Sequence, residues 1–265
     1  MKICDTHVHI GYYHRKGHKG HKRQCGRCYY SPRKICSILK GCGVDEFIYS
    51  SARMQDYMVD YEPVNAEMFE LQKLFGTGAH PFLLVADCGN RRPGSVSELM
   101  YGFYEGVELD DSYSHRWIKE NRDALEEVLS AAEKFGKPVM IHVGYGEDAI
   151  SANYTSIIEA HQQLRFAMVG WPSVDEAEKW LAASRNVFVD FQYMFPDDIC
   201  RLVDDGWRER LLWGSDLPSY PARCGLSPTR TMRDYVRTYK DFCDDQKVDL
   251  ASNFRCYLKG GVANG

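Results

Sequence analysis

The 265 residues contain no apolar run near the roughly 18 that a membrane span requires. The opening Met1-Lys2-Ile3-Cys4-Asp5-Thr6-His7 likewise lacks the hydrophobic stretch of a secretory leader. A soluble chain working in the cytoplasm, with no membrane partner, is the expectation. Also missing are a linker rich in proline, glycine or serine, a low-complexity tract, and a repeat at a period of roughly 20 to 50 residues. A solenoid is thereby excluded, and no point suggests itself for dividing the chain. Residues 1–265 are expected to form one domain, since single α/β barrels reach roughly 250 residues. Ten cysteines lie scattered from Cys4 to Cys256 without the regular spacing of a disulfide framework, which points to reduced thiols. A net charge of −4 is too small to hold the chain open, and 44% hydrophobic residues suffice for a large core. That charge is uneven. His14 to Cys28 carry Arg15, Lys16, Lys19, Lys22, Arg23 and Arg27 with no acid, and without these six the net charge becomes −10. A basic loop therefore sits on an acidic body.

What is present is a regular alternation. Short apolar or β-branched runs recur at Ile3 to Ile10, Val44 to Tyr49, Phe82 to Ala86, Gly106 to Leu109, Val139 to Val143, Phe166 to Val169, Val187 to Phe191 and Leu211 to Trp213. Between several of them lie segments with helical spacing, at Pro32 to Leu39, Ala66 to Phe75, Arg122 to Phe135, Ser173 to Leu181 and Pro196 to Val203. Strands alternating with helices pair in parallel, and eight such units predict an α/β fold, a single (β/α)8 TIM-type barrel rather than an open sheet. The junctions agree: Lys40-Gly-Cys-Gly-Val44 and Lys134-Phe-Gly-Lys-Pro-Val139 place glycine where a helix ends. Ser31-Pro32 suits an N-cap followed by a proline in the first helical position. The stretches Gly11 to Tyr30, a long loop after the first strand, and Cys88 to Tyr104 read as irregular.

In such barrels the C-terminal strand ends and the loops after them carry the active site. Side chains alternate along a strand, so His7 and His9 of Asp-Thr-His-Val-His share one side at the end of the first. Their spacing along the strand, about 7 Å, lets two imidazoles grip one metal ion. His142 ends the fifth strand in Lys-Pro-Val-Met-Ile-His, and Asp216 follows the eighth in Leu-Leu-Trp-Gly-Ser-Asp-Leu-Pro. Three nitrogens and a carboxylate then converge, leaving a position for water. With these three phrases in this order, the sequence resembles the amidohydrolase superfamily, particularly its amidohydrolase-related branch of metal-dependent hydrolases and nonoxidative decarboxylases. The resemblance spans nearly the whole chain. It implies that His7, His9, His142 and Asp216 are the metal ligands, with Asp216 also the proton acceptor for metal-bound water.

Two departures from that branch bear on activity. Its members usually carry a further histidine at the end of the sixth strand, in a phrase like His-Pro-Asp-Leu-Arg-Phe, an apolar run and His-x-Gly-Gly. Here the run is His161-Gln-Gln-Leu-Arg-Phe-Ala-Met-Val-Gly170-Trp171, with Gly170 in that place. An acid-base group, typically worth about 10² to 10⁴ in rate, is thus absent. His161 precedes its strand and belongs to the opposite end. Trp171 either floors a pocket for a planar ligand or fills the volume the glycine leaves. On the fourth strand, where relatives often have Gly-Val-Lys-Leu-His-Pro, the text is Gly106-Val-Glu108-Leu-Asp110, and Glu108 and Asp110 share parity. By similarity to distant relatives such as the TatD-type deoxyribonucleases, Glu108 is a candidate ligand for a second ion; the plainer alternative is an ion pair with an arginine or lysine. Asp110, Trp171 and Tyr145 are candidates for the substrate pocket. In the basic loop, His14, His18, His21, Cys25 and Cys28 have a zinc-like composition but do not form two separated ligand pairs. The alternative there is a solvated lid with free thiols. A loop leaving the end of the first strand overhangs the site, so its positive charge favours an anionic small-molecule substrate.

The leading expectation is a metal-dependent hydrolase acting on a small carboxylated or carbonyl-containing substrate. Its cofactor is a divalent metal, zinc foremost because the ligand set is rich in nitrogen, as one ion or as two if Glu108 takes part. A nonoxidative decarboxylase of the same branch is the nearest alternative. A nuclease or phosphoesterase is a third, although a nucleic-acid track is normally a broader basic face than one loop. A non-catalytic metal-binding or ligand-binding barrel is the fourth, and Gly170 is the feature that favours it.

Overall fold

The computed structural model describes residues 1–14, 27–51, 61–86, 103–110, 122–145, 151–219, 221 and 225–260. Its strands are β1 (Cys4–His14), β2 (Arg27–Tyr30), β3 (Glu46–Ser51), β4 (Ala79–Ala86), β5 (Gly106–Asp110), β6 (Val139–Tyr145), β7 (Phe166–Trp171), β8 (Val187–Asp190) and β9 (Leu211–Leu212). Its helices are α1 (Pro32–Cys42), α2 (Tyr61–Phe75), α3 (Arg122–Lys134), α4 (Thr155–Ala160), α5 (Val174–Ala183), α6 (Pro196–Asp204), α7 (Pro228–Gln246) and α8 (Leu250–Lys259). No helix among the described residues is long and apolar enough to cross a membrane.

The nine strands form one curled α/β sheet in the order β2-β1-β3-β4-β5-β6-β7-β8-β9. From β1 to β9 every pairing is parallel. These eight parallel strands correspond to the eight runs legible in the sequence. The ninth corrects the expectation of an irregular loop from Gly11 onward. β1 continues to His14, and β2 returns antiparallel beside it, with Gly11 opposite Tyr30 and Tyr12 opposite Tyr29. Tyrosines at both ends of the segment favour pleated backbone. His18, His21 and Cys25 of the basic loop lie outside the described residues, as does most of the second expected loop. The segment after β9 lies against β1: Thr6 N donates to Trp213 O at 2.9 Å and His9 N to Leu217 O at 2.7 Å.

Helix boundaries follow their capping chemistry. Ser31 Oγ accepts from Lys34 N at 3.3 Å at the start of α1, with Pro32 behind it where a missing N–H costs nothing. Gly43 closes the helix at φ 79°, a left-handed conformation open to glycine, and its N–H reaches the carbonyls of Leu39 and Lys40. Ser173 and Ser227 cap α5 and α7 in the same way.

The inner face of the curl explains where the polar residues go. Cys4, Ile48, Phe82, Met140, Ala167, Phe188 and Leu212, from seven of the parallel strands, pack with Ala251, Phe254, Tyr257 and Leu258 of α8. Gly106 supplies β5 at this level, and the Phe82 ring occupies the space a side chain there would need. This apolar layer plugs one end. One strand repeat of two residues higher, roughly 7 Å along, the same faces carry Ser50, Leu84, Glu108, His142, Val169, Asp190 and Gly214. β1 reaches that level with the opposite parity because its register with β3 shifts between Asp5 and Val8. Without the shift, Cys4 and His7 would face opposite sides of the sheet. β4 begins at Ala79, ahead of the apolar run that starts at Phe82, and so contains His80. Its Nδ1 lies 2.8 Å from Glu105 Oε2 and its ring against Phe254, at the plugged end.

Candidate metal centre

His7 and His9 are buried, and their rings meet edge to face with centroids 4.6 Å apart. Glu108 enters from β5, its Oε1 3.4 Å from His7 Nε2 and 4.0 Å from His9 Nε2. Asp216 closes the other side, with Oδ1 3.4 Å from His9 Nε2. The part-buried His142 ring lies 5.6 Å, centroid to centroid, from His7. His7, His9 and Glu108 bring their donor atoms within 4.8 Å of one another. Among the described residues, the charged neighbours of Glu108 are the two imidazoles, not an arginine or lysine.

The surrounding residues fix this arrangement. Asp5 Oδ1 accepts from His7 N at 3.1 Å and from Ser215 N at 2.9 Å, so the first residue of Asp-Thr-His-Val-His binds the backbone of Trp-Gly-Ser-Asp directly. Ser50 Oγ stands 2.8 Å from His9 Nδ1, which directs Nε2 toward the carboxylates. Thr6 Oγ1 donates to Asp190 Oδ2, while Gln192 N donates to Oδ1 at 2.9 Å. Gly214 has to be glycine for lack of room: a Cβ there would strike the Asp190 carboxylate and stand 2.6 Å from His7 Cβ and 3.0 Å from Thr6 Oγ1. Asp216 itself adopts φ 46°, a left-handed backbone costing about 1 to 3 kcal/mol in a residue other than glycine, and such strain concentrates at functional sites.

Charge sharpens the picture. Burial opposes a charged His7, yet Glu108, with Asp216 and Asp190 behind it, outweighs burial and raises His7 to about 9. Burial likewise opposes the Glu108 carboxylate, and the adjacent His9 and His7 still hold it at about 2. Asp216 is driven below the ordinary carboxylate range against burial, by His9 and His7 and by the Tyr193 hydroxyl. Burial dominates at Asp5, which rises to about 7, and at Asp190, also raised.

The donor set fits a divalent cation. His7 Nε2 and Glu108 Oε1 are fully buried and face each other without a well-formed hydrogen bond among the described residues. Ligands about 2.1 Å from a tetrahedral ion stand about 3.4 Å from one another, and two of the three separations between these groups equal that edge. Imidazole nitrogens with carboxylate oxygens are a set that zinc, manganese and iron accept.

Other candidates fall elsewhere. Asp110 and Tyr145 end β5 and β6 at this rim, and their side chains lie outside the described residues, as do those of His14 and Cys28. Trp171 does not fill a void beside Gly170. It is 48% exposed and stacks on Tyr193 with centroids 4.1 Å apart and planes 8° from parallel. Gly170 adopts φ 131°, a backbone conformation that side chains resist, which is a conformational reason for glycine at this position. His161 lies against α3, with Nε2 3.0 Å from Glu126. Cys4 is buried, and burial pushes its thiol up to about 12, which leaves it no nucleophile. Sequence reading missed Tyr193, whose hydroxyl donates to Asp216 Oδ2 at 2.6 Å. Its only signal was a position three residues past Asp190, on the side where strands end.

No family model matches the sequence, and no curated protein does. Solved structures match across almost the full length, and these neighbours are members of the amidohydrolase superfamily. A probable 2-pyrone-4,6-dicarboxylic acid hydrolase from Acinetobacter baumannii, with citric acid bound, covers 97% of this chain and 99% of its own at TM-score 0.65 and 13% identity. The 5-carboxyvanillate decarboxylase of Novosphingobium aromaticivorans, complexed with manganese and 4-hydroxy-3-methoxy-5-nitrobenzoic acid, covers 97% and 96% at TM-score 0.62 and 12% identity. An amidohydrolase from Burkholderia multivorans with bound zinc covers 98% and 97% at TM-score 0.60 and 12% identity. At such identities the likeness is one of fold.

Proposed function

We propose that residues 1–265 form a single amidohydrolase-like (β/α)8 barrel, acting as a metal-dependent hydrolase on a small carboxylated or carbonyl-containing substrate. The observation that carries this reading is the convergence of two imidazoles and two carboxylates from β1, β5 and the segment after β9. His7, His9, His142 and Asp216 would hold the ion, with Glu108 as a further ligand or the bridge to a second. Zinc suits the nitrogen-rich set, and the zinc and manganese bound by two structural neighbours support a divalent ion. When bound, the ion supplies Lewis acidity toward a substrate carbonyl or carboxylate. Asp216 is the proton acceptor, kept ionised by the imidazoles beside it. The exposed Trp171 offers a flat apolar surface at the rim, paired in the sheet with Tyr145, and Asp110 ends a strand of the same rim. An anionic substrate is favoured by the six cationic residues of the segment after β1, and two of the neighbours bind carboxylate ligands.

Nonoxidative decarboxylation is the second reading, supported by the likeness in fold to the 5-carboxyvanillate decarboxylase.

The test is elemental analysis of the purified protein, followed by assays of the apoprotein and of zinc- and manganese-loaded protein on lactones, amides and aromatic acids. Metal-dependent turnover of a lactone or amide is the expected result. Apoprotein that takes up neither ion overturns the metal reading, and turnover of aromatic acids alone selects decarboxylation.

A further inference from the structure

Gly170 leaves the end of β7 without a polar side chain, but the neighbouring strand ends supply one by another route. Tyr193 lies three residues past the end of β8, and its hydroxyl donates to Asp216 Oδ2 at 2.6 Å. The other oxygen, Oδ1, is the one 3.4 Å from His9 Nε2. An aspartate's terminal torsion is broad, so packing alone selects its carboxylate plane poorly. One charge-assisted hydrogen bond decides which oxygen meets the imidazoles. Tyr193 is itself held, because its ring stacks on Trp171 at 4.1 Å and 8°. The pair thus spans two adjacent strand ends, one partner touching Asp216 and the other 48% exposed at the rim.

We infer that Tyr193 is a positioning residue that fixes the plane of the Asp216 carboxylate, and that Trp171 braces it by stacking. The inference rests on the proposed reading that Asp216 is a metal ligand. Groups that orient ligands in this way are typically worth about 10- to 100-fold in metal affinity.

Three variants test it, with Co²⁺ as the probe, titrated into apoprotein and followed by calorimetry and by its visible absorption bands. Y193F keeps the ring and deletes the hydroxyl; it is expected to weaken Co²⁺ binding at least tenfold and shift the bands. W171A is expected to move both in the same direction, and W171F, which keeps a stacking ring, to restore them. If Y193F yields no folded protein, the W171A and W171F pair decides. Variants that match wild type in affinity and spectrum overturn the inference. Wild-type protein that binds no Co²⁺ overturns the metal reading instead. Crystal structures then judge the positioning role alone: an Asp216 carboxylate rotated in Y193F supports it, and one kept 3.4 Å from His9 refutes it.

Discussion

Replacing Gly214 by alanine adds one methyl group at the tightest point of the site. That Cβ would meet the Asp190 carboxylate and stand 2.6 Å from His7 Cβ and 3.0 Å from Thr6 Oγ1. None of the three can step aside cheaply: His7 is held through its backbone by Asp5, and Thr6 and Asp190 are bonded to each other. Overpacking of this kind and the weakened Thr6–Asp190 bond together cost about 3 kcal/mol. For a chain of this length that is a fall of about 6 to 12 °C in melting temperature. Gly136→Ala is the control, because Gly136 has φ 61° but open space within 4 Å of the added carbon. Only the left-handed backbone penalty of about 1 kcal/mol applies there, a fall of about 2 to 4 °C. Thermal unfolding followed by circular dichroism, with and without zinc, separates the two. Gly136→Ala should keep the full zinc-induced rise in melting temperature, whereas Gly214→Ala should lose most of it with His7 displaced. Equal melting temperatures for the two variants, or an undiminished zinc response in Gly214→Ala, would refute the packing argument.

His142→Ala should strip the purified protein of most of its metal as measured by elemental analysis; unchanged content removes His142 from the ligand set. Ser50→Ala should lower zinc affinity about tenfold by releasing the His9 ring, and should also lower the melting temperature of the apoprotein because a buried hydrogen bond worth about 1 to 3 kcal/mol is lost. Gly170→His is expected to destabilise the fold by about 1 to 3 kcal/mol in chemical denaturation, since φ 131° resists any side chain, and stability equal to wild type would show that the backbone there relaxes freely.

The eight parallel strands were legible because each is a short apolar run bounded by turn residues, and the helix start at Ser31-Pro32 was legible from its cap. α7 was missed although Met232, Val236, Tyr239 and Cys243 recur at helical spacing behind a Ser227-Pro228 start, because its other positions are strongly polar. The four motif residues His7, His9, His142 and Asp216 were visible as phrases at strand ends, and Glu108 as a carboxylate of the right parity. What no pattern displayed was the register shift that turns His7 inward beside Cys4. Nor did it display the pairing of Tyr193 with Asp216, which depends on strands that neighbour only in space. Gly170 read as a missing group; its backbone angle belongs to the three-dimensional chain.

Of the two hydrogen bonds accepted by Asp5, the one from Ser215 joins residues 210 positions apart. A nascent chain emerging from the ribosome therefore presents both N-terminal histidines long before the segment that orients them exists. Until Leu217 has cleared the exit tunnel and docked beside β1, His7 and His9 are two ordinary imidazoles on an unfinished ribbon. A version truncated before Trp213 should fold poorly and select no particular cation. The arrangement of the two imidazoles thus waits on a segment made some 210 residues after them.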